Sequence, residues 1–119
     1  MPGSTRPTPI PIDVRRAVLA VFFRCGGGPL SIDEIVRRTR DESGLDLAKL
    51  PGVVPHQRVS DILRHQVRYG RAAAPARGWY QLDTAAFSES TRWRCLNWGH
   101  VAARRGRYSR YITKYRDEP

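Results

Sequence analysis

Residues 55–82 combine one amphipathic helix with a short hairpin, and this pairing constrains the fold more than any other part of the chain. The stretch reads PHQRVSDILRHQVRYGRAAAPARGWYQL. Pro55 suits the first turn of a helix, and Gly70 suits the left-handed position just beyond its end. Apolar side chains recur between them at helical spacing and predict a single buried face. That face comprises Val59, Ile62, Leu63 and Val67.

A hairpin is predicted directly after this helix. Residues 71–75 and 78–82 form its two strands, and the turn falls near Arg77. Trp79 and Tyr80 have the aromatic character that strands favour. The predicted helix therefore runs at once into a hairpin with an arginine at its tip.

Two further helices are predicted upstream. The first begins at Asp13 and ends at the triple glycine 26–28, which we interpret as a turn because no Lys-Ser/Thr pair follows, as a P-loop would require. The second is capped by Ser31 with Glu34 at the third position, and it runs to about Arg40. A strand of one or two residues is expected at Leu30. The arginines near the end of this second helix either favour its dipole or contact phosphate, and the sequence leaves both roles open. They are Arg37, Arg38 and Arg40.

The remaining segments divide the chain. Residues 1–12 are expected to form a flexible arm, residues 13–83 one domain, and residues 84–119 a helical extension. A connection at 41–54 is expected to contain one helical turn at 46–50. Residues 88–105 again have helical spacing, with tryptophans that pack on the core or on a second copy. The tail 106–119 interleaves arginine with tyrosine, which suits either nucleic acid or a docking helix.

The charge of the chain points to a polyanionic partner. The net charge is +10 and the sequence pI is about 10.8. Residues 1–52 carry 8 basic against 6 acidic residues, whereas residues 53–119 carry 13 against 5. Of the 21 basic residues 19 are arginine, which binds guanine and phosphate through two parallel hydrogen bonds. A GC-rich genome would produce the same arginine bias.

The order helix, short strand, helix, third helix and hairpin resembles the winged helix-turn-helix domains of bacterial and phage regulators. The resemblance covers about residues 13–82, and VSDILRHQVRYG followed by RGWYQL matches it best. It implies a mainly α fold with a small β-hairpin (α+β), to which a C-terminal helix is added. The insertion at 41–54 departs from the family pattern.

The resemblance also implies a role for the third helix, which in this family enters the DNA major groove while the hairpin, or wing, touches the minor groove or backbone. The candidates for base or phosphate contact are then Gln57, Arg58, Ser60, Asp61, Arg64 and His65. Arg68 and Arg71 become phosphate candidates, and Arg77 becomes the residue at the tip of the wing. The sequence thus predicts a transcriptional regulator that binds double-stranded DNA.

Two other functions remain open, namely a winged-helix module that docks a protein partner and an RNA- or ribosome-binding protein. A homodimer through residues 88–115 is a further hypothesis. The sequence carries no nucleophile motif, metal-ligand spacing or small-molecule signature, so we expect neither an enzyme nor a cofactor. Cys25 and Cys95 are expected to be reduced core thiols. Without an apolar span or signal segment, the expected location is the cytoplasm, in association with the nucleoid.

Overall fold

A computed structural model of the protein describes residues 11–98. The predicted arm lies outside these residues except for positions 11 and 12, which are helical and not part of an arm. Residues 99–119, including the predicted tail 106–119, also lie outside the described range. Four helices and three strands follow one another within the described range. They are α1 (Pro11–Cys25), β1 (Leu30–Ser31), α2 (Ile32–Ser43), α3 (Pro55–Arg68), β2 (Ala72–Ala76), β3 (Trp79–Leu82) and α4 (Glu89–Leu96). The described chain is therefore an α+β fold, as predicted.

The helix boundaries follow from local capping. The Ser31 side chain accepts a hydrogen bond from the backbone N–H of Glu34, and Gly44 ends α2 in the left-handed conformation with φ of 77°. This helix runs three residues beyond the predicted end at Arg40. The connection to α3 contains the expected helical turn as a short 3-10 segment, Leu47–Lys49. Gly70, with φ of 74°, follows α3 as the sequence predicts.

The three strands form an antiparallel sheet in the order β1-β3-β2. Leu30 pairs with Tyr80, so the two-residue strand before α2 joins the edge of the hairpin. Ala72 pairs with Leu82 on the other side. Arg77 lies at the tight turn between β2 and β3. The sheet therefore ties the start of α2 to the hairpin that follows α3.

The triple glycine is needed where the chain passes the end of the sheet. Gly27 has φ of 110°, and a Cβ atom there would lie 2.6 Å from the carbonyl oxygen of Leu82. The carbonyl of Gly27 in turn accepts a hydrogen bond of 2.8 Å from the N–H of Leu82. A side chain at this position would break that contact, so the segment is a turn, as expected.

One hydrophobic core joins all four helices. Phe22 of α1, Ile35 of α2 and Leu63 of α3 are fully buried in it. Cys95 and Trp98 belong to the same cluster, because α4 packs against α1. Trp93, by contrast, is 45% exposed. The described part of the C-terminal extension thus shares the core of the preceding domain.

Two predictions about buried faces were wrong. Gln66 is buried at 2% exposure, whereas Val67, predicted to be buried, is 37% exposed. The core contact of α3 is therefore rotated toward Gln66 in its last turn, where Gln66 and residues of α1 and α4 line one cavity. Cys25, expected in the core, is exposed because it is the last residue of α1. Cys95 is buried as predicted.

Candidate nucleic-acid interface

The outward face of α3 presents a stripe of exposed polar and basic side chains. Gln57, Asp61, Arg64 and Arg68 are all exposed and follow one another at intervals of three or four residues. Such residues lie above one another on one side of a helix. Gln57 donates a hydrogen bond of 2.7 Å from Nε2 to Oδ1 of Asp61. Four of the predicted contact residues therefore share one surface.

The two arginines of this stripe have no carboxylate partner among residues 11–98. Neither Arg64 nor Arg68 forms an ion pair with any residue of the described range. Arg77, exposed at the hairpin tip, likewise has no ion pair there. Their positive charge is consequently not neutralised by neighbouring carboxylates within the described chain.

Arg58 lies on α3 but has a structural contact. Its guanidinium donates hydrogen bonds to the carbonyl oxygens of Pro51, at 2.9 Å, and Val53, at 3.5 Å. Its Nε atom is buried. These bonds attach the loop before α3 to the helix, so the predicted DNA contact is largely occupied by the protein's own backbone.

Ser60 is the clearest departure from the predicted contact set. The residue is 7% exposed, and its hydroxyl lies 3.4 Å from the hydroxyl of Tyr80 on β3. A side chain directed at the sheet is not available to a groove on the opposite side. The predicted interface therefore loses Ser60, which instead joins α3 to β3.

His65 and Arg71 occupy the borders of the stripe. The His65 ring is half-buried and lies 4.7 Å from the Tyr69 ring, centroid to centroid. The Arg71 guanidinium carbon lies 5.5 Å from the centroid of Tyr69 and 5.4 Å from that of Phe87. Such cation–π contacts hold the side chain between two rings. Arg71 is thus directed into the fold, whereas the phosphate role predicted for it requires an outward side chain.

The arginines of α2 are engaged by carboxylates. Arg37 and Arg38 both donate hydrogen bonds to Oε2 of Glu34, and Arg37 also donates to Asp41 over 3.2 Å. Arg40 lies 3.6 Å from Asp41. The hydrogen bonds from Arg37 and Arg38 lower the pKa of Glu34 to about 2. These ion pairs within α2 are a role that was not predicted for the arginines, and both the helix-dipole role and the phosphate contact stay predictions.

One basic residue near the stripe was not among the predicted contacts. Arg15 of α1 lines a shallow depression together with Asp61, Ile62 and His65 of α3. The sequence signal that could have identified Arg15 is its position among the apolar residues of VRRAVLAVFF. A charged residue on a largely buried helix must project from the edge of the buried face. Its proximity to α3 depends on helix packing, which spacing does not reveal.

The described residues contain no group of three or more His, Cys, Asp or Glu side chains that could hold a metal ion. None of the helices in residues 11–98 is both long and apolar enough to cross a membrane. Comparisons of the chain with models of protein families, with curated proteins and with solved structures find no match.

Proposed function

We propose that the protein binds double-stranded DNA as a winged helix-turn-helix transcriptional regulator. The observation that carries this proposal is the exposed stripe of α3, whose Arg64 and Arg68 lack carboxylate partners in the described chain, beside a hairpin with Arg77 at its tip. The element order and the sheet order β1-β3-β2 support the winged-helix assignment. We also propose that the protein is located in the cytoplasm, in association with the nucleoid.

The dimensions of α3 suit the major groove. An α-helix with its side chains is about 10–12 Å across, and the groove is about 12 Å wide. With 14 residues the helix is about 21 Å long, which spans the groove. We propose that α3 enters it with the stripe of Gln57, Asp61, Arg64 and Arg68 toward the bases.

Each side chain of the stripe has a distinct role in this proposal. Arg64, near the middle of the stripe, pairs with a guanine edge, whereas Arg68 and the wing-tip Arg77 neutralise phosphates. The amide nitrogen of Gln57 donates a hydrogen bond to the Asp61 carboxylate, so Gln57 can hydrogen-bond to adenine only after this bond is broken. Asp61 accepts from cytosine, and its charge disfavours phosphate nearby. His65 borders the groove-facing stripe and supplies a phosphate contact.

Fluorescence anisotropy with labelled duplex DNA and a matched RNA tests the proposal. The full chain should bind the DNA more tightly than the RNA, and Arg64→Ala should weaken binding by about 1–3 kcal/mol and relax the preference at one base pair. A protein-docking module would bind neither nucleic acid at about 50 mM salt, and an RNA-binding protein would prefer the RNA. Either outcome would contradict the proposed function.

We also propose that the chain forms a homodimer through residues 88–115. Within the described part of that segment, Trp93 on α4 is 45% exposed, although large aromatic side chains are usually buried. Residues 99–115 lie outside the described range. Analytical ultracentrifugation should show a dimer at micromolar concentration, and Trp93→Arg should shift it toward the monomer. A wild-type monomer at that concentration would contradict the dimer.

A further inference from the structure

A basic cavity lies on the inner side of α3. Its volume is about 310 Å³, which is within the range of small-molecule pockets. Helices α1, α3 and α4 surround it, together with residues that follow α3 and β3. Its lining residues include Arg15 and Arg16 from α1, Gln66 from α3, Arg71, and Arg94 from α4.

The charged side chains in the described lining of this cavity are all positive. Four arginines line it, and no aspartate or glutamate belongs to its described lining. Arg15, Arg71 and Arg94 form no ion pair within the described range. Like charges gathered at a concave surface repel one another and concentrate an anion there.

Two buried polar atoms at the cavity have no hydrogen-bond partner in the part of the chain that the structure describes. Gln66 is 2% exposed, and its Oε1 accepts no hydrogen bond from the residues of the described range. The Nε atom of Arg71 is also buried and unpaired there. Buried polar groups normally have partners, and an unpaired one in a concave site is explained by a group that enters it. Gln66 would accept a hydrogen bond from the ligand, and Arg71 would donate one.

The rest of the wall is apolar. Ile12, Leu19 and Phe87 also line the cavity, and Thr91 adds a hydroxyl group. Phe87 is held in place by an edge contact with Phe23, the ring centroids being 5.3 Å apart. A purely inorganic anion would leave this apolar wall uncovered. The lining therefore suits a molecule with one charged end and one apolar end.

We propose that this cavity binds a small organic anion, with a carboxylate or phosphate group near Arg71 and Arg94 and an apolar group against Phe87. A hydrogen-bond donor on the ligand pairs with Gln66. This inference goes beyond the proposed function and does not depend on it. Because Gln66 lies on α3, a bound anion would contact the inner face of the helix whose outer face is the proposed DNA reader.

Isothermal titration calorimetry with the full chain at constant ionic strength tests the proposal. The probes are phenyl phosphate and benzoate, with benzyl alcohol as the neutral match and inorganic phosphate as the match without an apolar group. We expect saturable binding of at least one organic anion, tighter than both matches. Equal heats for benzyl alcohol, or no saturation by either organic anion, would overturn the proposal.

Matched arginine variants assign the binding to this cavity. Arg94 and Arg77 are both exposed, so neither substitution removes a core contact. Arg94→Ala should weaken binding of the organic anion by about tenfold, as expected for the loss of a charge-assisted hydrogen bond, whereas Arg77→Ala should leave it unchanged. Equal affinities of the two variants would overturn the assignment. The double variant Arg64→Ala/Arg68→Ala should also retain the anion, which separates this site from the DNA interface.

The thiol of Cys95 gives an independent local signal. It lines the same cavity, and burial raises its pKa to about 11 against the opposing effect of Arg16 and Arg15. In the variant Cys25→Ser, Cys95 is the only thiol of the chain. Bound phenyl phosphate or benzoate should slow its modification by a thiol reagent at pH 8. An unchanged rate at saturating anion would place the ligand elsewhere and overturn the proposal.

Discussion

Helices α2 and α3 carry similar numbers of arginines but use them differently. On α2, Arg37 and Arg38 share the carboxylate of Glu34, and Glu42 and Asp41 add further partners. On α3, Arg64 and Arg68 have no carboxylate partner within residues 11–98. Arginine content alone therefore does not identify a binding surface. The pairing of each arginine decides whether its charge is available to a partner.

The largest expected effect separates the two faces of α3. Leu63 is fully buried, whereas its neighbour Arg64 is exposed. Leu63→Ala should lower the free energy of unfolding by about 2–5 kcal/mol, because it removes apolar contacts and leaves a cavity. Arg64→Ala should change it by less than about 0.5 kcal/mol. Urea unfolding of both variants measures these values, and similar losses would show that Arg64 also supports the fold.

The N-termini of the two helices provide the next comparison. Ser31 caps α2 through its side chain, whereas Val54 at the start of α3 makes no side-chain cap. Ser31→Ala should lower the free energy of unfolding by about 0.5–2 kcal/mol, and Val54→Ser should raise it by a smaller amount. Thermal unfolding of the two variants gives the sign of each change. Destabilisation by Val54→Ser would mean that the exposed Val54 side chain has a contact worth more than the cap.

The smallest expected effect concerns pH and the ion pairs of α2. Because the pKa of Glu34 is lowered to about 2 from an ordinary value near 4.5, its charged form stabilises the fold. This stabilisation is fully present above about pH 4.5 and is lost as the pH falls toward 2. Glu34→Gln should therefore lower the unfolding temperature at pH 7 but not at pH 2.

Thermal unfolding between pH 7 and 2 measures that difference, with Glu89→Gln as the control. Glu89 is exposed and forms no ion pair within the described range. The gap between wild type and Glu34→Gln should close across the stated range, and the control should show little change. A constant gap would exclude the charge of Glu34 as its cause.

Local patterns predicted most of the elements of the fold. The capping residue Ser31, the triple glycine and the Pro55–Gly70 pair predicted where helices begin and end, and those predictions are confirmed. The hairpin strands lie within one residue of their predicted positions. Such signals succeed because caps and turns depend on residues close in sequence.

The candidate site depended more on packing, and there the sequence was less informative. Ser60 and Gln66 are polar residues on an amphipathic helix, and both are buried. Helical spacing placed Gln66 on the apolar side without predicting its burial, and it placed Ser60 on the opposite face. The Tyr80 hydroxyl lies close to that of Ser60, and residues of α1 and α4 line the same cavity as Gln66. Arg58 and Arg71 were predicted as contacts from the resemblance to winged helix-turn-helix domains, yet the loop carbonyls and aromatic rings that engage them come from other segments. Tertiary contacts of this kind leave no periodic signal in the sequence.

The salt dependence of duplex binding tests the central claim most directly. Each phosphate contact contributes about 0.9 to the slope of log K against log salt concentration. Arg68→Ala/Arg77→Ala, which removes the two proposed phosphate contacts, should reduce that slope by about 2 in magnitude, whereas Arg37→Ala/Arg38→Ala, which removes the same charge from α2, should leave it nearly unchanged. Equal slopes for the two double variants would contradict the account, because they would mean that net charge and not the pairing of particular arginines determines binding.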